Sequence, residues 1–237
     1  AAASIGQAHR AQLPDGTEVV VKVQHADIEQ IAQVDLEVIR RLTRLIAFFF
    51  DIKGMDYLYS QVRQMIEEEL DFGREAQSMQ QIAQNLQTHS GILVPTVHPL
   101  YSTDRVLTTT WHEGVKISNV EQLDAWQVDR RDLCTRLLQA YCQMVFADGY
   151  YHADPHPGNI LVKPDGTIVL LDFGATGRLS PAMREGIPQL IEAAIKNDTE
   201  GMLNACRRMG FLADGREAEQ MAEKMIAALR HFLQNEV

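Results

Sequence analysis

Between residues 152 and 174 the chain carries an ordered set of polar side chains around one β-hairpin. It reads His152-Ala153-Asp154-Pro155-His156-Pro157-Gly158-Asn159, then Ile160-Leu161-Val162-Lys163 and Thr167-Ile168-Val169-Leu170-Leu171 joined by Pro164-Asp165-Gly166, then Asp172-Phe173-Gly174. Two apolar, β-branched runs around an Asp-Gly turn read as a hairpin. An Asp-Phe-Gly tripeptide alone arises by chance in many proteins. An Asp and an Asn just before a hairpin, with the tripeptide just after it, are a far more restrictive pattern.

That order matches the catalytic apparatus of kinases. In it Asp154 orients or deprotonates the nucleophile, while Asn159 and Asp172 hold the metal ions that bridge the phosphates. Mg²⁺ takes hard oxygen ligands, and both residues supply them. The upstream partners follow from the same order. Lys22 stands within Val19-Val20-Val21-Lys22-Val23, after the turn Pro14-Asp15-Gly16, where a lysine would pair with the α- and β-phosphates. A glutamate on a later helix should hold that lysine; Glu75 leads, with Glu67, Glu68 and Glu69 as alternatives on spacing alone. The phosphate loop departs from the kinase pattern. Where glycines would let the backbone approach phosphate, the chain has Ala1-Ala2-Ala3-Ser4-Ile5-Gly6-Gln7. Alanines allow fewer backbone conformations, so nucleotide affinity or selectivity is expected to be altered.

On these residues the chain resembles the UbiB/ADCK-like (ABC1-type) atypical kinase family. The resemblance rests on Ala1 to His9, Lys22-Val23-Gln24, Glu69-Leu70-Asp71 with Arg74-Glu75-Ala76, His152 to Asn159 and Asp172-Phe173-Gly174, and it extends from Ala1 to about Gly177. It implies an α+β, bilobal protein-kinase-like fold. It also implies an alanine-rich nucleotide loop (Ala1, Ala2, Ala3, Ser4, Ile5, Gly6) binding ATP with Mg²⁺, and ATPase activity supporting ubiquinone or related isoprenoid-quinone and lipid metabolism. By the same match Glu69 and Asp71 belong to an insert that closes over the site and contributes to metal or nucleotide binding, and Glu75 is the salt-bridge partner of Lys22. The family's Lys-x-Gly-Gln motif lies in an N-terminal extension absent from this sequence. No Ala-Pro-Glu follows Asp172, and the short segment from Gly174 through Gly177 to the helix start at Ser180-Pro181 leaves little room for an activation loop, which speaks against a peptide substrate.

The rest of the chain fits a β-rich N-lobe with helical insertions (1–114) and a mostly helical C-lobe with the catalytic loop (115–237). Apolar residues at Ile28, Ile31, Val38, Leu42, Leu45 and Phe49 keep a near 3.6-residue period and predict a helix from Ile28 to Phe50. A second helical stretch runs from about Tyr57 to Leu86, interrupted near Gly73. Strands are expected over Ile92 to Val97 and Arg105 to Trp111, a helix over Arg130 to Ala147, and amphipathic helices from Pro181 onward. The chain opens at Ala1 directly in the nucleotide loop and reads as N-terminally truncated.

Composition narrows the partners. A formal charge of -10 disfavours nucleic acid, which needs clustered Lys and Arg. Cys134, Cys142 and Cys206 have no metal spacing and read as reduced core thiols, in keeping with a cytoplasmic setting. The cluster Leu45 to Phe50 is too short to span a bilayer and reads as a helix end packed into the core, with an interfacial membrane contact as the alternative. The family resemblance adds peripheral membrane contact of the whole protein, with quinone-pathway proteins or lipid as partners. Plainer assignments compete. Lys22 could be an edge-strand charge, Glu67 to Asp71 a solvated helix face, and His152 a packing residue that orders its loop. Two other functions fit part of the pattern: a small-molecule phosphotransferase of the aminoglycoside-kinase type, and a nucleotide-binding scaffold without turnover.

Overall fold

The protein is described by a computed structural model over residues 5–50 and 54–211. The first hairpin follows its turn chemistry. Asp15 Oδ1 accepts from the Thr17 amide at 2.9 Å, and Gly16 sits at φ 88°, a conformation that favours glycine. Strands β1 (Gly6–Gln12) and β2 (Glu18–Gln24) pair antiparallel with Ala8 opposite Lys22. A Cβ at Gly6 would collide with the Val23 carbonyl, so the close approach of β1 to β2 requires glycine there.

Helices α1 (Ile28–Phe50), α2 (Met55–Glu69) and α3 (Phe72–Asn85) follow. The break expected near Gly73 comes earlier, at Leu70 and Asp71. Asp71 has extended backbone, and its Oδ1 accepts from the amides of Gly73 at 2.9 Å and Arg74 at 3.2 Å. This is an N-cap, and it restarts the helix with Gly73 inside the first turn.

Strand β3 (Ile92–Leu93) is shorter than expected: it ends before Pro95, which has no donor for a ladder, and Val97 keeps only an isolated bridge to Thr109. Strand β4 (Val106–Thr110) pairs antiparallel with β2, giving the sheet order β1-β2-β4. Lys22, opposite Leu107, therefore stands on the middle strand and is not an edge charge.

Next come β5 (Val115–Lys116), α4 (Val120–Ala125) and α5 (Arg130–Cys142). The helix expected to reach Ala147 stays α-helical only to Cys142; a π-helical stretch over Gln143–Asp148 follows and ends at Gly149. The remaining elements are β6 (Tyr150–His152), β7 (Ile160–Val162), β8 (Ile168–Leu170), β9 (Thr176–Arg178), α6 (Pro181–Ile195) and α7 (Thr199–Arg208). A second sheet has the order β3-β8-β7-β5, with β3 parallel to β8. Val162, Ile168, Val169 and Leu170 are fully buried, so β8 is covered on both faces. The β7–β8 hairpin pairs Ile160 with Leu170. Residues that precede β7 and follow β8 thus lie at one end of it: the Leu171 amide donates to the Asn159 carbonyl at 2.8 Å.

This is a mixed α+β architecture. By contact density the chain divides into a unit of residues 1–140 with 152–176 and a unit of 141–151 with 177–237. Phe72, Ile82, Leu123, Leu133 and Phe173 anchor the core of the first. In the second, Ser180 and Asp198 cap α6 and α7, which bury Ala193, Met202 and Ala205. The Arg184 guanidinium there donates to the carbonyls of Phe146 and Ala147 in the π-helical stretch.

Two sequence expectations fail on burial. Cys134 and Cys142 are exposed, not core thiols. Phe48, Phe49 and Phe50 are exposed as well, and α1 buries none of its residues. No helix among the described residues is long and apolar enough to cross a membrane.

Candidate nucleotide and metal site

The site starts from the alternation of β2. Val20, Lys22 and Gln24 leave one face of the strand, and Lys22 Nζ meets Glu75 on α3 at 2.9 Å from Oε2 and 3.1 Å from Oε1. The same ammonium lies 3.4 Å from Asp172 Oδ1 and 4.9 Å from the centroid of the Phe72 ring. Glu75, only 5% exposed, also accepts from the Phe173 amide at 3.3 Å. One turn further along α3, the Ser78 hydroxyl meets that of Thr176 at 3.3 Å. Helix α3 is thus tied at two points to the segment that carries Asp172.

The electrostatics follow from burial and pairing. Burial alone would pull the Lys22 ammonium down, but the carboxylates of Glu75 and Asp172 outweigh it and leave its pKa above the ordinary lysine value. Burial pushes the Glu75 carboxyl up, and the Lys22 charge opposes that push. Of the three alternatives to Glu75, Glu67 pairs with Arg63 at 2.8 Å and Glu68 with Arg74 at 2.9 Å, while Glu69 lines the same cavity as Lys22.

His152 joins the segment before β7 to the segment after β8. It is 2% exposed; its Nε2 lies 2.9 Å from the Leu171 carbonyl, and its Nδ1 accepts from the Asp154 amide at 3.2 Å. Those partners require the tautomer with hydrogen on Nε2. The ring also packs edge-on against Phe173, with centroids 4.9 Å apart. The bond to Asp154 and the bond beside Asp172 place both aspartates from one rigid ring. Asp172 itself adopts φ 56°, an uncommon conformation for a non-glycine residue, and such residues gather at functional sites. Asn159 Nδ2 donates to Asp154 Oδ2 at 2.7 Å, which fixes one oxygen of that carboxylate.

Lys22, Glu75, Asp154 and Asp172 share one cavity of about 410 Å³, also lined by Ile5, Met65, Glu68 and Glu69. Its lining holds five carboxylates and one ammonium. Other residues singled out in the sequence stand elsewhere. Ala1, Ala2, Ala3 and Ser4 lie outside the described residues, and Gly6 is taken up in β-pairing. Asp71 is engaged as the α3 cap, and Asn159 reaches the lining through Asp154. The sequence assigned no lining role to Met65 or Thr176, and offered Glu68 only as an alternative partner for Lys22 or as part of a charge run. The i, i+3, i+4 spacing of Met65, Glu68 and Glu69 was the available signal.

The chain is 33% identical, over 90% of its length, to Protein Activity of BC1 Complex Kinase 8, chloroplastic, of Arabidopsis thaliana, and the match covers 29% of that protein. It is 31% identical over 90% of its length to AarF domain-containing kinase 1 of Drosophila melanogaster, covering 42% of it. The chain thus spans less than half the length of these curated relatives. A solved structure of Rv3197 from Mycobacterium tuberculosis in complex with erythromycin superposes with a TM-score of 0.70 at 28% identity, over 91% of this chain and 55% of that one. The family model described as the ABC1 atypical kinase-like domain matches residues 1–206, and the chain belongs to that family.

Proposed function

We propose that this chain is the ATP- and Mg²⁺-handling part of an atypical kinase or ATPase, with residues 1–114 as the nucleotide lobe and 115–237 as the lobe of the catalytic loop. The observation that carries this reading is the buried Lys22–Glu75 ion pair, which reaches Asp172 in one cavity wall. The volume is within the range of about 300–1,000 Å³ usual for small-molecule sites. The donor set supports a metal-loaded nucleotide: one ammonium among five carboxylates cannot by itself balance a polyphosphate, whereas hard carboxylate oxygens suit Mg²⁺. Bound there, Mg²⁺ would neutralise charge on the phosphates and polarise the transferring phosphoryl group.

The protein groups then divide the work. Lys22, held charged by Glu75, donates to phosphate oxygens. Asp172 and the side-chain oxygen of Asn159 are the metal donors, with Glu69 adding a carboxylate from the insert. Asp154, oriented by the Asn159 amide on one oxygen, keeps the other to accept a proton from an attacking hydroxyl or water. Ile5 borders the cavity, and the alanine-rich loop before it is assigned to the phosphates. The setting we favour is isoprenoid-quinone or lipid metabolism, with quinone-pathway proteins as partners and peripheral membrane contact of the whole protein. Relatives named for the activity of the bc1 complex support it.

The test is Mg²⁺-dependent ATP and ADP binding and phosphate release by the full-length protein, beside Lys22→Ala and Asp172→Asn. Both substitutions should lower turnover by roughly a hundredfold or more, the usual scale for losing one preorganised charged group at a reacting centre. A well-folded wild type that binds no nucleotide rejects the reading.

A further inference from the structure

Gln24 stands two residues beyond Lys22 on β2, so the two side chains leave the same face of the middle strand. Lys22 reaches α3 at Glu75. Gln24 reaches the junction that precedes α3: its Nε2 donates to the Leu70 carbonyl at 2.5 Å and the Asp104 carbonyl at 3.5 Å. The Asp104 carbonyl also takes the Phe72 amide at 2.9 Å. Leu70 ends α2 and Asp71 starts α3, so these bonds clamp the turn between the two helices to the sheet. Immediately before that turn stand Glu68 and Glu69, which line the cavity.

The orientation of the amide is fixed by its neighbours. Both are carbonyl oxygens, and only the NH₂ group can face them. The other end is unusual: Gln24 is 9% exposed, and its Oε1 is buried without a hydrogen-bond partner among the described residues. A half-paired buried amide lowers stability relative to an apolar side chain of the same shape. Packing therefore does not account for glutamine here, whereas a donor aimed at the α2–α3 junction does.

We propose that Gln24 is a positioning residue: its amide holds the α2–α3 junction so that Glu68 and Glu69 stand at the cavity edge, and this sets the affinity of the site for the divalent cation that accompanies nucleotide. The inference rests on the nucleotide reading above and names a determinant within that site. Groups that orient metal-site carboxylates without touching the metal typically change metal affinity by about 10- to 100-fold when removed.

The experiment titrates Mg²⁺ at fixed ADP, reading nucleotide binding by calorimetry, in full-length wild type, Gln24→Met, Gln24→Asn, Glu69→Gln and the Gln24→Met/Glu69→Gln double variant. Amide hydrogen exchange is followed in the same proteins without nucleotide. Gln24→Met should raise the half-saturating Mg²⁺ by about tenfold, and Gln24→Asn, whose amide falls one methylene short of Leu70, should do likewise. Amides from Phe72 to Glu75 should exchange faster in both, with those of Ile168 to Leu170 unchanged. In the Glu69→Gln background the added effect of Gln24→Met should shrink to less than about twofold, because coupled residues are not additive.

Folded Gln24 variants with the wild-type Mg²⁺ midpoint overturn the proposal. So does an undiminished effect in the Glu69→Gln background, and so does failure of both Gln24 variants to fold, which would make Gln24 a folding residue. A wild type that binds no nucleotide overturns the functional reading and this inference together. Normal wild-type binding, lost in Lys22→Ala but unchanged in the Gln24 variants, overturns this inference alone.

Discussion

Helices α1 and α3 are both amphipathic, yet the protein uses them in opposite ways. Over fourteen residues α3 buries Phe72, Glu75, Ser78, Met79 and Ile82. Over twenty-three residues α1 buries none, and Val38, Leu42 and Phe49 are half-exposed or more. The apolar stripe of α1 is the more regular of the two. Periodicity therefore announces a helix and its apolar face, but not whether that face is covered. What distinguishes α3 is its polar content: a carboxylate and a hydroxyl on the buried face, each bonded to the segment around Asp172. A buried carboxylate is stable only with a partner, so Glu75 ties the place of α3 to that of Lys22.

The sharpest way to break this contrast is to remove the partner. Lys22→Met leaves Glu75 buried without its cation, and breaking a buried ion pair from one side costs about 3–5 kcal/mol. The loss should depend on pH. Burial already pushes the Glu75 carboxyl up, and without the Lys22 charge it rises further. A carboxyl whose folded-state pKa lies above its unfolded value of 4.5 contributes stability that is whole below that value and lost as pH rises through the folded-state pKa. The gap between wild type and variant should thus be smallest near about pH 4.5 and widen toward about pH 8. Urea unfolding at several pH values measures it, and a gap that stays constant with pH would mean that Glu75 is not the stranded charge.

A smaller effect separates two roles for Asp71. As the α3 N-cap it contributes about 1 kcal/mol, so Asp71→Ala should lower Tm by about 2–4 °C in a chain of this size. Asp71→Asn keeps an acceptor at Oδ1 and should be nearly neutral. Were the charge of Asp71 used on a cation, the asparagine variant would instead keep its Tm and lose Mg²⁺-dependent nucleotide binding.

These residues also show how far the sequence could be followed. The two hairpins were legible because Asp15-Gly16 and Asp165-Gly166 specify their turns locally, and α1 because its period runs unbroken from Ile28 to Phe50. The order Asp154, Asn159, Asp172 was legible because one short hairpin separates its parts. Lys22 on a middle strand was not, since β4 is contributed from far along the chain, and neither was the parallel pairing of β3 with β8. The use of Asp71 was ambiguous in principle: a carboxylate that can cap a helix can also face a cation, and only backbone geometry separates the two. The end of α1 misled for a simple reason. Leu45 to Phe50 has the composition of a core segment, and composition carries no information about what lies opposite.

The smallest expected effect tests that last point. If α1 is as exposed as its side chains are, Val38→Ser and Leu42→Gln remove little buried area, and each should change unfolding stability by less than about 0.5 kcal/mol, the range of ordinary surface substitutions. Ile82→Ala on α3, by contrast, empties a fully buried site and should cost about 2–5 kcal/mol. Chemical denaturation of the three variants compares the helices directly. A loss at Leu42 approaching that at Ile82 would show the α1 stripe covered in solution, and the contrast between the helices would then be one of partner and not of burial.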